Sequence, residues 1–143
     1  MTQQPPPGFE LLPPIDEVMA NYAPIHFRRE GDHIALGFHV GSQHCNRRGV
    51  CQGGVWACVA DVQLGINVGT MTGLSGPTVS LSLDYLGEAA IGRWVEGRTR
   101  LLRKTPKLAF VDATFTADGE LALRANGIFR LKWAPERQLP PTA

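Results

Sequence analysis

Residues 44 to 61 read HCNRRGVCQGGVWACVAD, a polar loop that closes on Gly53 and Gly54 and runs into an amphipathic segment carrying one acid, Asp61. From residue 53 to 68, Val55, Val59, Val62 and Ile66 recur at spacings of four, three and four, which predicts a central helix with those four side chains toward the core. A second stripe, Gly54, Ala57, Cys58, Asp61 and Gly65, consists of small residues around the acid. Small residues at this spacing also suit plain tight packing on a sheet, but a carboxylate placed on such a face needs a partner or a purpose. The first N–H groups of the helix have no intrahelical acceptor and sit at its positive end, so they suit a carbonyl oxygen that is gaining negative charge. Asp61 would then supply a base or a nucleophile.

Working outward, residues 1–14 are rich in proline and are expected to form a loosely held tail. Asp16 and the apolar Ile15, Val18, Met19 and Tyr22 predict a short helix over residues 15–22, ending before Pro24. Residues 33–40 alternate Ile34, Leu36, Phe38 and Val40 with His33, Ala35, Gly37 and His39, as a strand does. After the helix, residues 77–86 place Val79, Leu81, Leu83 and Tyr85 on one face, opposite Thr78, Ser80, Ser82 and Asp84. Residues 92–104, 108–117 and 121–133 are further strands, separated by Thr105-Pro106 and by the hairpin signal Asp118-Gly119. The expected organisation is one α+β domain over residues 15–135, with tails at 1–14 and 136–143 and a sheet that wraps the helix.

The 143 residues suffice for one domain with a real core. A net charge of +1 argues against nucleic acid as a partner, so electrostatic recognition must be local. No basic and apolar leader and no run of about 20 apolar residues is present, from which a soluble, cytoplasmic protein without a membrane partner is expected. Cys45, Cys51 and Cys58 lie at spacings of six and seven, which matches neither a zinc site nor a disulfide framework. A thiol nucleophile at Cys51 would have only an upstream base such as His44, so small packing residues are the better reading. No nucleophile elbow, phosphate loop or dinucleotide fingerprint occurs, and His26, His33, His39 and His44 lack metal-ligand spacing.

His44, Asn46, Gly49, Gly53, Gly54 and Asp61 together resemble the H-x-N-x-x-G-x-x-H-G-G pattern, with its acid eight residues after the first glycine of the pair, of PaaI-like acyl-CoA thioesterases. The likeness extends to about residue 132, with Gln52 where that family has its second histidine. It implies a hotdog fold, dimers or tetramers with active sites at the subunit boundary, and hydrolysis of small, medium or aromatic acyl-CoA thioesters. No cofactor is implied beyond coenzyme A as part of the substrate. On this resemblance the Gly53 N–H would hold the oxyanion, a donor worth about 3 to 4 kcal/mol. Asp61 of the neighbouring subunit would activate water or attack the carbonyl directly.

Thr78 would orient the water or the carboxylate, or else be an ordinary strand threonine. Asn46 would orient water or the acid, unless its amide only serves its own loop. Gln52 can donate to a carbonyl but cannot carry a proton, so it fits positioning and excludes acid–base work. His44 is expected to fix loop geometry. Arg98, Arg100, Arg103, Lys104 and Lys107 form an acid-free basic run, in which Arg103, Lys104 and Lys107 would meet coenzyme A phosphates or simply be solvated. Trp56, Met71 and Leu74 are candidates for the acyl pocket, Trp56 equally for the core. A hotdog hydratase or dehydratase, and a non-catalytic acyl-CoA binder, remain as alternatives.

Overall fold

Helix α2 (Gly53–Thr72) crosses a seven-stranded antiparallel sheet in the computed structural model, which describes residues 3–134. In chain order the other elements are β1 (Glu10–Leu12), α1 (Glu17–Ala20), β2 (Ile25–Glu30), β3 (His33–His39), β4 (Thr78–Tyr85), β5 (Trp94–Lys104), β6 (Leu108–Ala117) and β7 (Glu120–Arg130). The strands lie in the order β1-β2-β3-β5-β6-β7-β4, so the chain leaves the helix to lay β4 on the far edge and then returns. The expected α+β architecture, a sheet wrapped on one long helix, is the one observed. The C-terminal tail expected at 136–143 lies outside the described residues.

The helix outruns its periodic stretch by one turn. Gly69, Thr70, Met71 and Thr72 weaken the apolar pattern, and the end comes at Gly73, whose φ of 76° is the left-handed cap that glycine adopts without penalty. Its inward face is Val55, Trp56, Val59, Ala60, Gln63, Leu64, Ile66, Asn67 and Val68. Trp56 packs edge-on to Phe115 with ring centroids 5.8 Å apart, which settles it in the core. Val62, expected to face the core, is only half-buried and lines a small apolar cavity with Leu12, Pro13, Pro14, Ile15 and Met19.

Those last residues also correct the expected loose tail. Glu10, Leu11 and Leu12 pair with Phe27, His26 and Ile25, and Phe9 is buried edge-on to Trp94 at 4.9 Å. The prolines break local periodicity, but Phe9 and Leu12 have apolar surface to bury and an open strand edge to join. Strand β2 was not anticipated from the sequence, because IHFRRE keeps strict alternation only over Ile25 and Phe27. In β4, Leu81 and Leu83 pack against the core, whereas Val79 is 59% and Tyr85 54% exposed. A register shift between Thr78 and Ser80 turns Val79 out of line with the leucines. The Asp118-Gly119 hairpin forms as expected, with both residues at positive φ between the paired Ala117 and Glu120.

Two buried amides join the layers. Strand β3 pairs with β5 only from Gly37 to His39, so Ile34 and Leu36 have no strand partner on that side. Gln63 accepts from Leu36 N at 2.8 Å and donates to Ile34 O at 2.7 Å and to Thr99 Oγ1 at 2.9 Å. Asn67 accepts from Ile34 N at 2.7 Å and donates to Ile34 O and Gln63 O at 2.9 and 2.8 Å. Both amides are fully buried, so the helix completes hydrogen bonds that a neighbouring strand would otherwise make. Replacing Gln63 by leucine should lower the unfolding free energy by about 1–3 kcal/mol for the orphaned Leu36 N–H. Urea unfolding of Gln63→Leu beside wild type measures it, and an unchanged midpoint would refute the role.

Candidate active site

The outward face of α2 is tied to the edge strand at two points. Thr78, the first residue of β4, donates its hydroxyl to Asp61 Oδ1 at 2.7 Å. Near the other end of the strand, the Tyr85 hydroxyl donates to Gly53 O at 2.8 Å. Asp61 is half-buried and Thr78 exposed, so the carboxylate is positioned by one hydroxyl while still open on its outer side. Tyr85 escaped the sequence reading, because a tyrosine at the end of an alternating strand looks like one more apolar position.

The approach to the helix is built by His44. Its ring is fully buried beside Phe38, accepts from Gly41 N at Nδ1 (2.9 Å) and donates from Nε2 to Tyr22 O (2.6 Å). One ring nitrogen facing a donor and the other an acceptor fit the neutral imidazole. Burial pushes its pKa below the ordinary value, against the opposing effect of the Tyr22 carbonyl. His44 thus fixes loop geometry, as expected. Asn46 is turned to its own loop, its side-chain oxygen accepting from Arg48 N at 2.9 Å. That is the local Asx arrangement, and it leaves the amide NH2 as the group with which Asn46 would reach a ligand.

Gln52 occupies the N-cap with extended backbone (φ −65°, ψ 140°) and makes no side-chain cap bond. Its backbone N–H bonds to His44 O at 2.8 Å, while its side chain is exposed. Gly53 follows as the first helical residue, with its N–H directed along the helix axis out of the N-terminus. Gly53 and Asp61 are eight residues apart on one helix, which separates them by about 12 Å. One chain therefore brings Asp61 to Thr78, but does not bring the Gly53 N–H and Asp61 to a common carbonyl.

The basic run is divided by its partners. Arg98 pairs with Glu30 and Glu96, each at 3.1 Å, and Arg100 with Asp112 at 2.6 Å. Arg103, Lys104 and Lys107 are exposed and have no ion-pair partner among the described residues. A register shift between Leu101 and Arg103 separates the two groups. Cys51 is buried, with its thiol pushed up to about 12 first by desolvation and then by Cys45, which disfavours a nucleophilic role. No group of three metal-binding side chains exists among the described residues, and no described helix is long and apolar enough to cross a membrane.

Comparison with known proteins matches residues 48–123 to the thioesterase superfamily. A Pseudomonas aeruginosa protein named as a presumptive esterase is 30% identical over 129 residues, covering 88% of this chain and 96% of its own. Among solved structures, a hypothetical thioesterase of Streptococcus pneumoniae with coenzyme A superposes with a TM-score of 0.73 at 18% identity, covering 78% of this chain and 88% of that one. A variant of the phenylacetic acid degradation protein PaaI from Thermus thermophilus gives 0.72 at 20% identity, covering 81% and 100%. The hotdog fold is common to them.

The buried neutral His44 sets an acid limit on this region. An unfolded histidine takes up a proton near pH 6.5, whereas the folded one resists it, so its contribution to stability is present above that pH and is lost below it. His26 and His39, also lowered by burial, act in the same direction. Stability should fall between about pH 7 and 5.5, and His44→Gln, which can keep both hydrogen bonds without titrating, should flatten that fall. Denaturant midpoints at the two pH values for both proteins measure the difference.

Proposed function

The chain belongs to the thioesterase superfamily, and we propose that it is a thioester hydrolase whose substrates are acyl-CoA esters of small, medium or aromatic acids, cleaved to free acid and coenzyme A. The observation that carries the assignment of the site is the 2.7 Å bond from Thr78 to Asp61 on the outward face of α2. The thioester carbonyl oxygen would lie against the Gly53 N–H, whose dipole favours the charge formed as the carbon becomes tetrahedral. Asp61, held by Thr78, takes a proton from the attacking water, or adds to the carbonyl itself to give an anhydride that water then opens. Collapse of the adduct expels the thiolate of coenzyme A. Asn46 and Gln52 serve as polar positioning groups, since neither amide titrates.

The roughly 12 Å between Gly53 and Asp61 along one helix favours a site shared by two copies, with Gly53 from one and Asp61 from the other. Edge strand β4, with Val79 59% and Tyr85 54% exposed, supports a homodimer joined there, alone or within a tetramer. Arg103, Lys104 and Lys107, without a carboxylate partner among the described residues, suit the phosphates of coenzyme A. The coenzyme A carried by the Streptococcus pneumoniae protein supports the same substrate class. A binder without turnover is the second reading, favoured by the glutamine at position 52.

Thiol release from a panel of aliphatic and aromatic acyl-CoA esters separates the two. Asp61→Asn should lower kcat/KM at least about a hundredfold and Thr78→Val about tenfold. Gly53→Pro removes the N–H at a helical position that tolerates proline, after a residue whose backbone already suits one, and should cost about a hundredfold or more. Co-expressing Asp61→Asn with Gly53→Pro should restore about a quarter of the wild-type rate through mixed dimers. Failure of that rescue, with both variants folded and mixed, would overturn the shared site. Acyl-CoA binding with no release by wild type would establish the binder.

A further inference from the structure

Cys45 and Cys51 face one another across an isolated antiparallel bridge at the neck of the loop that leads into α2. The flanking backbone bonds run from Asn46 N to Val50 O at 2.9 Å and from Gln52 N to His44 O at 2.8 Å. Neither cysteine bonds to the other through its own backbone, so the two form a non-hydrogen-bonded pair, with Cα atoms about 4.5 Å apart and side chains on the same face. A disulfide needs Cα atoms about 4.4 to 6.8 Å apart, so the backbone already stands within that range. Both sulfurs are free thiols on the core side, Cys51 buried and Cys45 half-exposed at the rim. Cys58 lies apart, half-buried inside α2.

We propose that Cys45 and Cys51 form a reversible disulfide across the neck of this loop, making it an oxidative modification site. With a peroxide as oxidant, the half-exposed Cys45 sulfur attacks the O–O bond, becomes a sulfenic acid and releases one water. The Cys51 sulfur then attacks Cys45, forms the S–S bond and expels the second water. Two thiols lose two protons and two electrons, and the peroxide gains them. Burial raises the pKa of both thiols, so the reaction is slow near neutral pH and accelerates as pH rises. The ring would enclose residues 46–50 and end one residue before Gln52. None of this depends on the choice of substrate.

The full chain would be exposed to hydrogen peroxide, its remaining thiols alkylated under denaturing conditions, and the product digested with trypsin. Cleavage after Arg47 and Arg48 separates the Cys45 and Cys51 peptides unless a disulfide joins them. The expected product is the joined pair, about 2 Da lighter than the sum of its parts and released by dithiothreitol, with the yield rising from about pH 7 to 9 and with fragmentation of the 49–93 peptide, which carries Cys51 and Cys58, placing the alkyl group on Cys58. Cys45→Ser should abolish it and Cys58→Ser should not. Cys45 found as sulfinic acid beside a free Cys51 would overturn the proposal, as would a link through Cys58 or one that runs as a covalent dimer.

Discussion

Gln63 and Asn67 are the hinge on which the arrangement turns. A sheet that curls around a helix must part somewhere, and here β3 leaves β5 beyond Gly37, leaving Ile34 and Leu36 without strand partners on that side. Buried peptide groups without partners are costly, so the gap is tolerable only because two amides one helical turn apart supply both donors and acceptors. The same bonds fix how α2 is rolled. Asp61 is two residues before Gln63, about 200° around the helix, so holding Gln63 inward turns the carboxylate outward.

The outward face is then secured from the opposite side of the fold. Strand β4 reaches α2 only because the chain crosses to the far edge of the sheet before returning through β5. Its first residue orients Asp61, and Tyr85 near its end holds the carbonyl of Gly53. Core packing, the edge strand and the candidate site are thus joined through one helix. In the proposed mechanism, what α2 cannot do alone is bring both of its functional points to one carbonyl, and that limit gives a second copy its purpose.

The spacing from His44 to Asp61 marked the loop, the glycine start and the acid before any contact was visible, because each depends on neighbours along the chain. Where the reading failed, the deciding contact came from far away. Phe9 and Leu12 are held by residues near 94 and 25, β2 by strands on both sides, and the exposure of Val79 follows from a bulge against β7. Gln63 and Asn67 looked like ordinary polar helix positions, since their partners at Ile34, Leu36 and Thr99 are about 30 residues away.

The sequence by itself determined the elements and their chemistry: a long helix opening on glycines, an acid on its small-residue stripe, the hairpin at Asp118-Gly119, and a pool of basic side chains. Turn preferences and apolar periods act over a few residues and survive in any context. Only the tertiary structure decided which cations pair with carboxylates, which strand lies at the edge, and that Thr78 and Tyr85 meet the outward helix face at its middle and at its start. Those outcomes depend on distances between segments remote in the chain, which are set when apolar faces are buried together and every enclosed polar group must find a partner.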